Sequence, residues 1–195
     1  GSSESLERNR QLRTAGRLSI TDSIRARGLY LAQVSWIDRQ IGELLSELDA
    51  RGMTEDLLVV LTSDHGLVLD EVTEFPYAHG SLVDLRSLHV PLVIHGRGAM
   101  DLGVSELVIE PVVRLMDLPS TILSAAGVAE VLGDGQDLGA YWRDETIDVR
   151  PHLAEATTGR LARQGSWSNL LFPQAMVRDG FVLQRWVGIT EEGIR

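Results

Sequence analysis

An adjacent aspartate and histidine follow a short apolar run in this sequence. The run, LLVVLT, covers Leu57–Thr62, and Asp64, His65 and Gly66 come directly after Ser63. A carboxylate and an imidazole together suit a divalent cation such as Mn, Zn or Mg, and a carboxylate also suits Ca. Neighbouring side chains of a regular strand point to opposite faces, so both groups reach one ion only if the chain turns there. A glycine at position 66 makes such a turn easy.

A second histidine, His79, lies in the long polar segment 63–88. Two protein ligands hold an ion weakly, so His79 could be a third ligand, or it could donate a hydrogen bond to an anionic substrate. Long irregular connections of this kind are often functional. The alternative for the Asp64-His65 pair is an ordinary polar turn. Further carboxylates that could contribute ligands are Asp70, Glu71 and Glu74.

An amphipathic helix is predicted ahead of these residues, from about Asp22 to Ala50. Its apolar residues recur at spacings of three and four, which is the period of one helix face. Gly52 is placed as the helix stop. The residues of this apolar stripe are Tyr30, Val34, Ile37, Ile41, Leu44, Leu45 and Leu48.

Two apolar runs, Leu57–Thr62 and His89–His95, are predicted as strands. Their almost uninterrupted apolar pattern is typical of a strand buried on both faces, as in a parallel sheet with helices on each side. Ser105–Glu110 is predicted as a third short strand. Pro111 suits the first turn of a following helix, which Gly127 would end.

The C-terminal part has a different pattern. Ala175–Trp186 contains two apolar arms around an Asp-Gly dipeptide, which is a strong hairpin signal. Helices that alternate with apolar strands favour an α/β layered fold. In such sheets ligands bind beyond the carboxyl ends of the strands, where Asp64 leaves its strand. We expect residues 1–131 to form the core, and residues 132–195 a linker and a small subdomain with its hairpin near 175–186.

Composition excludes several classes of function. The chain has 195 residues, enough for one domain, and a formal net charge of -10, which gives no electrostatic footprint for nucleic acid or an anionic membrane. It has no cysteine, so disulfides, thiolate metal sites and cysteine nucleophiles are excluded. No apolar stretch reaches the ~18 residues that a membrane span needs.

Other motifs are expected to be structural. Gly133-Asp134-Gly135 is expected to form a turn, and the histidines expected at strand edges or on the surface are His89, His95 and His152.

Several segments, read in order from Arg25 to Gln184, resemble those of one family. YLAQVSWIDRQIGELLSELDARG is similar to a helix of that family, LLVVLTSDHG to its strand and metal-ligand turn, and HGSLVDLRSLHVPLVI to its His-Gly and Val-Pro-Leu segments. MDLPSTILSAAGV, GDGQDL and AMVRDGFVLQ are similar to a later helix, a following turn and a hairpin of its small C-terminal sheet. The family is the sulfatases, within the alkaline-phosphatase-like superfamily of metal-dependent hydrolases.

The resemblance implies a fold and a site. The fold would be α/β, a partial alkaline-phosphatase-like α/β/α sandwich with a small C-terminal antiparallel β appendage. Asp64 and His65 would be ligands of the catalytic metal, with Ca favoured and Mg, Mn or Zn as alternatives. His79 would contact the sulfate or phosphate group or assist the leaving oxygen. The metal would act as a Lewis acid on a small-molecule or glycan sulfate ester.

The chain also departs from the family pattern. The family takes its nucleophile from Cys/Ser-x-Pro-Ser-Arg, converted to formylglycine, which is not present in this chain. The similar run Asp117–Thr121 carries an acid at the nucleophile position. The paired aspartates of the family's first strand are missing, so the chain corresponds to a C-terminal half and is expected to be inactive alone. Leu67, Glu71-Val72 and Val83 replace an acid, a His-Gly and an aromatic residue.

These departures leave other interpretations open. The intact protein could be a phosphoric ester hydrolase or phosphoryl transferase of the same superfamily. The chain could also be a non-catalytic interaction module with a degenerate site, an idea that Leu67 motivates. A half domain would expose sheet edges, which favours a homodimer. The sequence itself does not indicate a compartment, and the resemblance favours a periplasmic or secreted location.

Overall fold

The structure is a computed structural model, and it describes part of the chain. The described residues are 8, 11–12, 19–69, 77, 79, 83–96, 108–128, 133–143, 145–147, 150–156, 170–178, 181–190 and 193–194. The chain forms two compact units. One comprises Gly1–Ile41, His65–Val90 and Pro151–Arg195, and the other Gly42–Asp64 and Pro91–Arg150. The predicted division at residue 131 stays a prediction.

Helix α1 spans Ile20–Ala50, as its apolar period predicts. Ser19 and Asp22 form a reciprocal cap at its start, because the Ser19 N–H donates to the Asp22 carboxylate and the Asp22 N–H donates to the Ser19 hydroxyl. Gly52, with a φ of 67°, follows its end as predicted. None of the helix residues is buried. The apolar stripe therefore stays largely exposed.

Strands β1 (Leu58–Thr62) and β2 (Leu92–Gly96) form a two-stranded antiparallel sheet. Leu58 pairs with Gly96, and Thr62 pairs with Leu92. The expectation of a parallel sheet is wrong for this pair. An uninterrupted apolar run predicts a strand but carries no information on its direction, and the long segment between the strands can return either way. Burial on both faces is also wrong, because Leu61 and Val93 are exposed.

Short helices build the core of the unit that contains β1 and β2. A 3-10 turn at Leu115–Asp117 leads into helix α3 (Leu118–Ala125), and Pro119 lies in its first turn. The predicted start at Pro111 is wrong. The Arg114 backbone N–H donates to the Asp117 carboxylate, which fixes the 3-10 turn just before α3. The described end of the predicted third strand, residues 108–110, has no strand structure, and residues 105–107 lie outside the description.

The side chains at the centre of this core come from two segments. Gly127, with a φ of 74°, ends the α3 region as predicted. Helix α4 (Gly139–Trp142) follows a turn at residues 133–134. Among the described residues, the buried side chains are those of Leu118, Leu138 and Ala140, together with the polar residues Asp117, Ser120 and Thr121.

The other unit contains helix α2 (Leu85–Leu88) and a four-stranded antiparallel sheet. The sheet order is β3-β4-β5-β6, with β3 at His152–Glu155, β4 at Leu170–Arg178, β5 at Phe181–Thr190 and β6 at Gly193–Ile194. Arg178 pairs with Phe181, so β4 and β5 form a hairpin at the predicted Asp-Gly position. The buried side chains described in this unit are Val68, Val83, Ala175, Val177 and Ser87.

Among the described helices, none combines the length and the apolar character that a bilayer crossing requires.

Candidate functional site

The turn after β1 carries the predicted metal ligands. Asp64 and His65 are both exposed. The His65 Nδ1 lies 2.9 Å from the Gly66 carbonyl oxygen. Because a carbonyl oxygen can only accept a hydrogen bond, this contact places a proton on Nδ1. Histidine metal ligands are commonly oriented in this way, by a hydrogen bond from the nitrogen that does not bind the metal.

Gly66 is held against the backbone of α2. Its N–H donates to the Ser87 carbonyl at 2.8 Å. A Cβ at this position would lie 1.9 Å from the Arg86 carbonyl oxygen. Its φ lies outside the left-handed region, so the glycine is not needed for an unusual turn conformation. The expectation that Gly66 serves to make the turn easy is therefore wrong. The glycine is required because two backbone segments approach each other closely.

Helix α2 is itself fixed by Asp84. The Asp84 Oδ1 accepts hydrogen bonds from the backbone N–H groups of Arg86, at 3.0 Å, and Ser87, at 3.3 Å. Its Oδ2 forms an ion pair with the Arg86 guanidinium at 2.6 Å. This N-cap satisfies donors that a one-turn helix could not satisfy internally. The carbonyls that contact Gly66 are therefore held in place by their own cap.

His79 lies beside His65. Their ring centroids are 4.9 Å apart and their planes differ by 5°, so the two imidazoles stack. His79 is also exposed. Of the three predicted site residues, His65 and His79 belong to the same compact unit, and their rings are in contact.

The donor types match part of a metal site. Asp64 carries a carboxylate and His65 an imidazole, and both are donor types that suit a divalent cation. Within the described residues, no cluster of three or more His, Asp or Glu side chains could hold a metal ion. The further predicted donors Asp70, Glu71 and Glu74 lie outside the described residues.

Asp117, in the run that resembles a nucleophile motif, has a structural role. Its side chain is only 3% exposed and forms an ion pair with Arg114 at 2.7 Å. Burial alone would raise the pKa of the Asp117 carboxyl, but hydrogen bonds from the Arg114 side chain and from the Gln136 and Arg114 N–H groups outweigh it and lower the pKa. All of these partners stabilise the ionised carboxylate in the interior, where no substrate can reach it.

The Gly133-Asp134-Gly135 segment forms the predicted turn. Gly133 has a φ of 63°, and the Asp134 carbonyl accepts a hydrogen bond from Arg114. A Cβ at Gly135 would lie 2.1 Å from the Met116 carbonyl oxygen, so this glycine also packs against backbone. The predicted non-ligand histidines lie at the expected kinds of position: His89 just after α2, His95 in β2 and His152 in β3.

Two residues near the site were missed by the sequence reasoning. Ser87 is buried, and its hydroxyl has no hydrogen-bond partner among the described residues. Gln184, on β5, donates a hydrogen bond to the carbonyl of Val83. No sequence pattern signals either contact, because both depend on segments that meet only in the folded chain.

Comparison with known proteins identifies the family. The model of the Sulfatase family matches residues 3–128. The chain belongs to the Sulfatase family. This stretch includes β1, the Asp64-His65 turn, His79, α2 and β2. The family has an alkaline-phosphatase-like α/β fold, and the described helices and antiparallel sheets are consistent with part of it.

Curated relatives also carry sulfatase names. Arylsulfatase K from Bos taurus is 32% identical over 102 residues, which are 52% of this chain and 18% of the relative. Iduronate 2-sulfatase from Homo sapiens is 41% identical over 69 residues, 35% of this chain and 12% of the relative. Choline-sulfatase from Rhizobium meliloti is 32% identical over 156 residues, 73% of this chain and 28% of the relative. The matches thus span less than a third of each of these relatives.

Proposed function

We propose that this chain is the C-terminal half of a metal-dependent sulfuric ester hydrolase, and that it supplies Asp64, His65 and His79 to the active site. The observation that carries the proposal is the Sulfatase family match, because its residues 3–128 include the whole turn. The substrate would be a small-molecule or glycan sulfate ester. The resemblance also favours a periplasmic or secreted location for the protein.

Asp64 and His65 would hold the cation, with Ca favoured over Mg, Mn or Zn. The cation would act as a Lewis acid at the ester oxygens. The Nδ1 hydrogen bond to the Gly66 carbonyl supports this role for His65, because it limits rotation of the ring. The Gly66 contact with α2 supports it further by limiting movement of the turn itself.

His79 would donate a hydrogen bond to the anionic ester group. The stacking of its ring on His65 supports this role over that of a co-ligand. Imidazole lone pairs lie in the ring plane, so two stacked and nearly parallel rings direct them along separate planes and not toward one ion. A ring N–H of His79 would instead stabilise negative charge that develops on the transferring group.

The chain alone is expected to be inactive. It contains no Cys/Ser-x-Pro-Ser-Arg motif, and within the described residues no complete metal-binding cluster is present. The nucleophile and the remaining ligands would come from sequence outside this chain. The proposal therefore concerns the activity of the whole protein that contains it.

The test compares 4-nitrophenyl sulfate with 4-nitrophenyl phosphate as substrates of that whole protein. The expected result is a higher kcat/KM for the sulfate ester. Replacing His79 by Gln should lower kcat/KM about 100-fold, the usual effect of removing one donor to a developing anion. The matched control is His95→Gln, an exposed histidine on β2, which should leave kcat/KM unchanged.

Each other outcome contradicts the proposal. Preference for the phosphate ester would indicate a phosphoryl-transferring member of the superfamily. Absence of hydrolysis, together with no saturable binding of a divalent cation, would indicate a non-catalytic interaction module. Equal effects of the His79 and His95 substitutions would remove His79 from the site.

A further inference from the structure

We infer that Gln184, on the C-terminal sheet, is a positioning residue for the stacked His65–His79 pair and acts through Val83, α2 and Gly66. The inference rests on the proposed roles of the two histidines. It adds a function for the four-stranded sheet, which lies outside the stretch that the family model matches.

The first contact joins the sheet to the segment that follows His79. The Gln184 side-chain amide donates to the Val83 carbonyl at 2.8 Å, across 101 residues of sequence. Val83 is only 4% exposed, so this carbonyl belongs to a residue that the unit encloses. A buried carbonyl without a partner is unfavourable, so the bond fixes the position of Val83.

The second contact passes from Val83 into α2. Asp84 is the next residue, and its carboxylate caps the backbone N–H groups of Arg86 and Ser87. Because Asp84 has an extended backbone and holds both donors, a displacement of Val83 would move the cap. Gln184 positions Val83, and through Val83 and Asp84 it also positions the start of α2.

The third contact passes from α2 to the histidines. The Ser87 carbonyl accepts the Gly66 N–H at 2.8 Å, and the Arg86 carbonyl leaves no room for a Cβ at Gly66. The Gly66 carbonyl in turn accepts the hydrogen bond from His65, whose ring stacks on His79. An unbroken series of contacts thus runs from Gln184 to both rings.

The sheet provides a firm anchor for Gln184. Its backbone pairs with Ala175 within the long β4–β5 ladder, and Ala175 is only 3% exposed. Residues held on paired strands are positioned more precisely than residues on loops. Asp64, His65 and His79 lie outside the helices and strands, so an anchor on this sheet supplies precision that regular structure does not give them.

The experiment measures the geometry of the histidine pair by NMR on this chain, without an assay of hydrolysis. Stacked rings with centroids at 4.9 Å place ring protons close enough for a nuclear Overhauser contact. Replacing Gln184 by Leu removes the amide donor. The expected result is loss of the His65–His79 contact and a shift of both ring resonances, while amide exchange protection of β4 and β5 is retained.

The matched control is Gln174→Leu, the same substitution on the partner strand. The Gln174 side-chain amide donates to Glu155 on β3, within the sheet itself. This variant should keep the His65–His79 contact. If Gln184→Leu does not fold, the isosteric Gln184→Glu removes the donor with little change in volume, and the same loss is expected.

Two outcomes would overturn the inference: an intact histidine contact in a folded Gln184 variant, or equal loss of the contact in the Gln174 variant. Kinetics of the whole protein give a separate readout, in which Gln184→Leu lowers kcat about tenfold and Gln174→Leu does not. Because the NMR result needs no turnover, failure of the proposed hydrolase activity would leave it interpretable.

Discussion

At the residue scale, glycines with different surroundings serve different purposes in this chain. Gly66 has no space for a Cβ, because the Arg86 carbonyl oxygen would lie 1.9 Å away. Gly28 and Gly42 on α1 have nothing within 4 Å of such an atom. The first type is required by packing, whereas the other two are open to substitution. Residue type alone does not distinguish them.

We predict that Gly66→Ala lowers the free energy of unfolding by about 1–3 kcal/mol, because the added methyl group displaces either the turn or α2. The same change should weaken the His65–His79 stacking. Chemical denaturation and the ring resonances of both histidines measure these effects. Gly42→Ala is the control and should be neutral or stabilising by up to about 1 kcal/mol, since alanine favours a helix interior.

An unchanged stability of Gly66→Ala, with intact histidine stacking, would show that the turn does not pack against α2 as described here. Equal destabilisation by Gly42→Ala would point to a general sensitivity of the chain to substitution.

At the element scale, one carboxylate joins the start of α3 to the segment at residues 133–136. Asp117 receives hydrogen bonds from Arg114 and from the Gln136 N–H at 2.9 Å. The Thr121 hydroxyl extends the link, because it donates to the Asp117 carbonyl and accepts from the Leu138 N–H. Polar groups in the interior therefore help to hold the two segments together.

We predict that Asp117→Asn lowers the free energy of unfolding at pH 7 by about 3 kcal/mol, because it leaves the Arg114 charge without its buried partner. The folded-state pKa of Asp117 lies below its ordinary value of 3.8. Its contribution to stability is therefore complete above that value and is lost as the pH falls through the folded-state pKa. Denaturation curves from pH 7 to pH 2 should show this acid-dependent loss in the wild type and less of it in the variant.

The control is Glu47→Gln, which breaks the exposed Arg51–Glu47 pair at the C-terminal end of α1. Exposed pairs of this kind contribute less than about 1 kcal/mol. A similar cost for both substitutions, or an unchanged acid dependence in Asp117→Asn, would contradict the structural role of Asp117.

Elements with a strong local pattern were predictable from the sequence. The three- and four-residue spacing predicted α1, the β-branched runs predicted β1 and β2, and an Asp-Gly between apolar arms predicted the β4–β5 hairpin. The start of α3 was not predictable, because Pro111 and Pro119 are equivalent local signals for the first turn of a helix. The helix starts beside Pro119 because of the Arg114–Asp117 contact, which no pattern of residue spacing predicts.

The sequence suggested which residues form the candidate site, and that assignment stays a prediction, but it gave no signal for the contacts that support them. Asp64, His65 and His79 were identified by donor type and by resemblance to a family. The packing of Gly66 on α2 and the Gln184–Val83 bond both join segments distant in sequence. Such contacts follow from the tertiary arrangement, as does the antiparallel direction of β1 and β2, so a single sequence gives no signal for them.

At the scale of the whole molecule, apolar surface stays exposed on both α1 and the two-stranded sheet. Leu61 and Val93 pair across the β1–β2 sheet and are 40% and 54% exposed. A small sheet with exposed apolar residues, and with no third strand among the described residues, favours pairing with a second copy. We therefore propose that the chain alone forms a homodimer through this sheet.

Replacing Val93 by Lys should weaken this dimer, because a charge on the sheet face opposes burial, and sedimentation velocity should show at least a tenfold rise in the dissociation constant. Val112→Lys is the matched control, since Val112 is also 54% exposed but lies outside the sheet. A wild-type chain that is monodisperse and monomeric would contradict the proposed dimer.

The most direct measurement of the central claim is the cation dependence of sulfate ester hydrolysis by the whole protein, comparing wild type with Asp64→Asn and His65→Gln. Activity of the wild type should be lost on chelation and restored by a divalent cation. Both variants should need at least about tenfold more cation for half-maximal activity, since each loses one ligand. Hydrolysis that resists chelation, or variants that match the wild type in cation requirement, would contradict the assignment of this turn as the metal site.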